Sequence, residues 1–169
     1  HNLLKSREER YRLLFDKAAD TIAIIDAQGK VLDINNLFED ETGYKRSDII
    51  GENVFDSGLL TSKSAVSTAF YLSRLINGKE VPIFEIDVIR KDASIITYEL
   101  RAVPIQEKDE LIGVQAILRN ITERKKTEAK LHQSEKHLSN LMYSLPGMAY
   151  RCRYDHDWTM EFVSQGCLE

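Results

Sequence analysis

What this chain lacks narrows its function before anything it contains. No apolar run approaches the roughly 18 residues that a membrane span requires. Cysteine occurs twice in 169 residues, at Cys152 and Cys167. That pair is too sparse for a disulfide framework or a zinc site, and two ordinary thiols in a reducing compartment are expected. The eight glycines never form Gly-x-Gly, so no phosphate-cradling loop is present. The formal net charge is −4, which argues against a nucleic-acid-binding surface, since such a surface needs clustered lysine and arginine. No secretory signal opens the chain. It begins on His1 rather than Met, which predicts an excerpt from a longer protein. The expected location is cytoplasmic, with any membrane anchor upstream.

What is present reads as globular. Apolar residues make up 43% and charged residues 30%, enough for one core plus an added segment. Residues 3 to 18 carry Tyr11, Leu14, Phe15 and Ala18 at helical offsets. "TIAIIDAQGKVLDIN" reads as two short strands around Gln28-Gly29. Asn35 and Asn36 end the second strand and are suited to cap a helix. A longer helix is expected over 62 to 76, with Val66, Ala69, Phe70, Leu72 and Leu75 inward, stopped by Asn77-Gly78. Three strands follow, at about 81 to 90, 95 to 105 and 110 to 119. In the first, Phe84, Ile86 and Val88 share a face; in the second, Tyr98, Leu100 and Ala102 do. Such alternation indicates an antiparallel sheet with one buried face, and the element order indicates an α+β layout.

From 123 to 145 the pattern is helical again. Leu131, Leu138 and Leu145 are spaced by heptads and Met142 fills a companion position, while Glu128 and Glu135 occupy others. Such a weak heptad holds as a coiled coil only when flanking domains bring two copies together. The stretch 134 to 153 echoes 7 to 26, with Glu135 matching Glu8, Leu141 matching Leu14 and Met142 matching Phe15. The echo is one domain long and reads as the opening of a second, truncated copy of the same module.

Two motifs carry a family resemblance. Asn35, Phe38, Thr42-Gly43-Tyr44 and Ile50-Gly51 stand in "INNLFEDETGYKRSDIIGENV". "GVQAILRNITERKKTE" contains Asn120-Ile121-Thr122-Glu123-Arg124. Over residues 8 to 122 the chain resembles a PAS domain. The resemblance implies a five-stranded antiparallel sheet with helices on one face, flanked by N- and C-terminal helices. The expected organisation is a helix over 1–20, a PAS domain over 21–122, a signalling helix over 123–145 and the start of a second PAS domain over 146–169.

Departures from the family pattern carry their own expectations. Asn120 stands where the family usually has Asp, which predicts a neutral hydrogen bond in place of a charged one. Ala93 stands where the family usually has Gly. Positive φ at that position costs an Ala on the order of 1 kcal/mol, so a turn of another type is expected. "EKDEL" lacks the usual Gly in the next turn.

PAS domains hold haem, flavin, small metabolites or nothing. His1, His132, His137 and His156 all lie outside residues 8 to 122, which argues against a His-ligated haem. That segment has no cysteine, so cysteinyl-flavin chemistry is excluded, leaving non-covalent flavin as the cofactor alternative. No cofactor is expected. The candidates to line a cavity between helices and sheet are Phe38, Phe70, Phe84, Ile86, Tyr98 and Leu100, with Tyr98 needing a partner for its hydroxyl. Asp155-His156-Asp157 reads as a solvated turn and not a metal site, and "HQSEKHLSNL" as a solvated helix face. No catalytic constellation is present.

The resemblance therefore implies a sensor and relay module of a multidomain signalling protein, with a histidine kinase as the expected effector downstream on the same chain. Relay is expected through Asn120, Ile121, Thr122, Glu123 and Arg124. A homodimer is expected through Leu14, Phe15, Leu131, Leu138, Met142 and Leu145, without nucleic-acid or membrane contact. A flavin-based redox or light sensor, and a ligand-free dimerisation module, are the rival readings.

Overall fold

The computed structural model describes residues 2–108, 110–144 and 150–163. The first unit ends at Thr122 and the second starts at Glu123. In the first, helix α1 (Asn2–Asp16) precedes the hairpin β1 (Thr21–Ile25) and β2 (Val31–Ile34). Three helices follow: α2 (Leu37–Thr42), α3 (Arg46–Ile49) and α4 (Ser62–Ile76). A meander of β3 (Phe84–Ile89), β4 (Ile95–Glu107) and β5 (Glu110–Asn120) completes the sheet. Its order is β2-β1-β5-β4-β3, antiparallel throughout, so the last strand inserts between the two hairpins. This is the expected α+β architecture. Period-2 alternation produces it: Ile96, Tyr98 and Leu100 of β4 and Val114, Ala116 and Leu118 of β5 all turn to one face, where they meet Phe38, Ile49, Leu72 and Leu75 from the helices.

Asn35 does not cap a helix. Its side chain is fully buried, at 0% exposure. Its Nδ2 donates to the carbonyls of Phe15 (3.0 Å) and Asp20 (3.1 Å), and its Oδ1 accepts from the Ile22 N–H (3.0 Å). One amide thus pins the end of α1, the approach to β1 and the end of β2. Asn36 is the residue before α2, in helical conformation and with no side-chain cap bond. The helix is closed at its other end by Gly43 in the left-handed region (φ 79), whose N–H donates to Glu39 O at 2.9 Å.

Helix α4 is turned from its expected orientation. Ser64, Thr68, Leu72 and Leu75 face the core, while Val66 and Ala69 are exposed and Phe70 is 57% exposed. The edge strand sets this rotation. Ser64 Oγ accepts from the Asp87 N–H at 2.8 Å, and the N–H of Thr61, the N-cap, donates to Asp87 O at 3.2 Å. Small side chains at 64 and 68 let the helix approach the strand, and that geometry outweighs the more apolar stripe.

The β3–β4 turn keeps the geometry that its sequence argues against. Ala93 has φ 66, Ala93 N–H donates to Arg90 O at 2.9 Å, and Arg90 N–H donates to Ser94 O at 2.8 Å. Asp92 braces the turn by accepting from the Ser94 N–H and hydroxyl. The expectation of a different turn type was wrong; the strain is tolerated because the flanking ladder fixes the backbone. In the next turn Lys108 likewise has positive φ (50).

Helix α5 (Thr122–Ser144) begins on the last residue of the first unit, and its part in the second unit carries Glu123 with Lys126 at 2.9 Å and Arg124 with Glu128 at 3.8 Å. A separate hairpin pairs β6 (Tyr150–Cys152) with β7 (Met160–Val163). The turn between them is exposed and is organised by the Asp155 carboxylate, which accepts from the Thr159 N–H at 2.9 Å. Among the described residues no group of His, Cys, Asp and Glu is placed to hold a metal, and no helix is long and apolar enough to cross a membrane.

Asn35→Ala should lower stability by about 3 kcal/mol in urea unfolding, because two carbonyls and an N–H lose their partner in or near the core. Ala93→Gly should raise it by about 1 kcal/mol in the same assay, by removing left-handed strain.

Candidate functional site

Small side chains open a space in the core. Ala116 of β5 lies opposite Ala23 of β1 on one side and Ala102 of β4 on the other, so three alanines cross the centre of the sheet. Above Ala23 and Ala116 is a cavity of about 80 Å³, walled also by Phe38, Ile86, Leu100 and Thr68, into which only apolar atoms reach. The Thr68 hydroxyl, though buried, has no hydrogen-bond partner among the described residues.

Three of the six cavity candidates, Phe38, Ile86 and Leu100, are therefore brought together. The other three are not. Phe70 and Phe84 join Tyr71 in an aromatic cluster (centroids 5.3 Å and 4.3 Å) that the rotation of α4 leaves outside the cavity. Tyr98 is 0% exposed but lies beside the cavity and not in its wall. Ala23, Ala116 and Thr68 escaped the sequence reading because small or polar residues carry no hydrophobic signal. Only their register across strands marks them.

The partner that Tyr98 requires is the carboxylate of Glu41, on α2. Tyr98 Oη donates to Glu41 Oε2 at 2.7 Å, and Thr21 Oγ1 donates to the same oxygen at 2.8 Å. Asn120 Nδ2 donates to Glu41 Oε1 at 3.0 Å. Burial, reinforced by the Glu41 carboxylate, pushes the Tyr98 phenol far above its ordinary pKa. Asn120 is thus not confined to a neutral bond. It donates a charge-assisted bond, which an ionised Asp at this position has no proton to make. Glu41 itself carried no signal in the sequence, standing in a run of three acidic residues.

Asn120 also begins the joint between sheet and helix. Its Oδ1 accepts from the Thr122 N–H at 3.0 Å. Ile121 N–H donates to Thr97 O (2.9 Å), and Thr97 N–H donates to Thr122 Oγ1 (3.0 Å). Thr97 Oγ1 in turn donates to Asp87 Oδ1 at 2.7 Å. Ile121 is buried as a plug between these bonds. Of the five relay candidates, Asn120, Ile121 and Thr122 meet in this joint, whereas Glu123 and Arg124 are exposed on α5. Among the dimer candidates, Leu14, Leu131, Leu138 and Met142 are exposed. Phe15 is only 5% exposed, so it is used inside the protomer and is not available to a partner. Leu145 lies outside the described residues.

Comparison with known proteins places this geometry. Residues 19–123 match the PAS domain family. The chain is 30% identical over 147 residues to the signal transduction histidine-protein kinase AtoS of Escherichia coli, covering 83% of this chain and 22% of that protein. It is 32% identical over 160 residues to sporulation kinase A of Bacillus subtilis, covering 89% and 24% respectively. The chain thus spans under a quarter of these two relatives. A solved PAS domain of an HTR-like protein from Haloarcula marismortui superposes with a TM-score of 0.60 at 25% identity, covering 71% of this chain and 96% of that one.

The buried phenol has a pH signature. Its raised pKa means the folded chain keeps a proton that the unfolded chain releases near pH 10. Stability from Tyr98 is therefore intact below about pH 10 and declines as pH rises above it. In urea unfolding across pH 8 to 11.5, Tyr98→Phe should be less stable at pH 8 by about 1–2 kcal/mol, and its decline above pH 10 should be shallower.

Proposed function

The chain belongs to the PAS domain family, and from that premise we propose that it is the sensing and relay segment of a longer signalling protein whose output is a histidine kinase. The observation that carries this reading is the joint at Ile121 and Thr122. There the last strand and the first residue of α5 share backbone and side-chain hydrogen bonds with Thr97, so a shift within the sheet is passed to the helix root. The relatives are kinases several times longer than this chain, which supports an effector beyond it.

The signal enters at the apolar cavity. At about 80 Å³ it is smaller than the about 150 Å³ engineered cavity that accepts benzene and far below the roughly 300–1,000 Å³ of drug-sized ligand sites. This favours a small apolar ligand or a partner-driven shift, and weighs against a non-covalent flavin. Occupancy shifts the population between sheet–helix arrangements, and the kinase reads the result. The segment works in the cytoplasm as a homodimer. Leu131, Leu138 and Met142 leave an apolar stripe on a helix rich in charged residues, and such a helix gains stability by burying that stripe against a second copy. The hairpin at 150–163, with the sequence echo, supports a second PAS domain beginning after α5.

Replacing Thr122 by Val and Glu123 by Ala together in the full-length protein should change its autophosphorylation rate from ATP by at least about fivefold, the low end of allosteric coupling. The far-ultraviolet circular dichroism of the 169-residue chain should stay the same. An unchanged rate would refute the relay reading.

A further inference from the structure

We infer that Glu41 is the positioning residue through which movement of the cavity wall reaches α5. This rests on α5 being the output path and adds the side chain that connects it to the sensing cavity. Helix α2 has only six residues and is held together by Thr42 Oγ1 donating to Phe38 O at 2.7 Å and by the Gly43 cap. Phe38 stands in the cavity wall and Glu41 lies one turn further on the same helix. The wall residue and the carboxylate are thus carried on one short helix. Both oxygens of Glu41 are engaged, Oε2 by Thr21 and Tyr98 and Oε1 by Asn120.

The amide of Asn120 passes the contact on, because its two ends face opposite demands. Its NH2 faces a carboxylate and its carbonyl faces the N–H of Thr122. Turned over, it would set carbonyl against carboxylate and NH2 against N–H, so only one orientation satisfies both neighbours. A displaced Glu41 therefore either carries Asn120 with it or loses its bond. In both cases the first N–H of α5 feels the change. The path from Phe38 through α2, Glu41 and Asn120 to Thr122 consists of covalent links and hydrogen bonds, and each is present in the first unit.

The test is amide hydrogen exchange at residues 122–126 of the 169-residue chain. Asn120→Asp sets two carboxylates face to face and should speed exchange there about tenfold. Combining it with Glu41→Gln reverses the polarity of the pair. The NH2 introduced at position 41 donates to the carboxylate introduced at position 120, while the amide carbonyl at 41 still accepts from Tyr98 and Thr21. Exchange should then return to within about twofold of the original. Phe38→Leu, which loosens the wall, should speed exchange at 122–126 about threefold with Glu41 present and have no further effect in a Glu41→Ala chain. The inference is overturned if Asn120→Asp leaves these amides unchanged, if the reversed pair does not recover, or if the effects spread evenly over the sheet as general destabilisation would. It is overturned equally if Phe38→Leu acts alike with and without Glu41. Exchange involves no kinase readout, so failure here leaves the sensor reading standing. An unchanged autophosphorylation rate in the Thr122/Glu123 variant removes that reading whatever exchange shows.

Discussion

A carboxylate drawn partly out of water has to be met by donors, and at the end of this sheet where β5 runs into α5 that requirement organises its surroundings. Glu41 is met by hydroxyls from β1 and β4 and by an amide from the end of β5. Satisfying one side chain therefore aligns three strands with α2. The dependence runs both ways. The acceptor on Glu41 stabilises Tyr98 at 0% exposure, since a buried hydroxyl without one costs on the order of 1–3 kcal/mol. The presence of Asn and not Asp at position 120 follows from the same constraint, since the neighbouring group is already an anion.

Around this node the core is firm in some places and loose in others. Asn35, fully satisfied, locks the α1–β1–β2 corner. The row of alanines at 23, 116 and 102 leaves space beside it. Unfilled volume in a core sacrifices packing energy, and here it lies against Phe38, one helical turn from Glu41. A soft spot next to a rigid hydrogen-bonded node is the arrangement a sensor needs. On the proposed reading, the soft part is where an occupant would act and the rigid part is what would pass the change on.

Much of this was legible in the sequence. Alternation along about 81 to 90, 95 to 105 and 110 to 119 announced the meander, the Gln28-Gly29 pair announced the first hairpin, and the Asn-Ile-Thr-Glu-Arg stretch marked the passage from strand to helix. Helix α4 was legible as a helix but not in its rotation. Hydrophobicity pointed Val66 and Phe70 inward, whereas a hydrogen bond from Asp87 to Ser64 turned them out. Asn35 looked like a cap because the type of residue was right; its three actual bonds go to segments that precede it in the chain and not to the helix that follows.

By itself the sequence determined what depends on local periodicity and residue type: the elements, their order, the shared faces of Phe84, Ile86 and Val88 and of Tyr98, Leu100 and Ala102, and the absence of histidine and cysteine from residues 8 to 122. Tertiary structure alone decided which small residues meet to leave a cavity, which aromatic rings stay outside it, and that an unremarked glutamate joins Thr21, Tyr98 and Asn120. The reason is physical. Periodicity is encoded within a few neighbouring residues, but a cavity or a hydrogen-bonded node is built from side chains tens of residues apart, and its geometry exists only after strand register and helix rotation have been set.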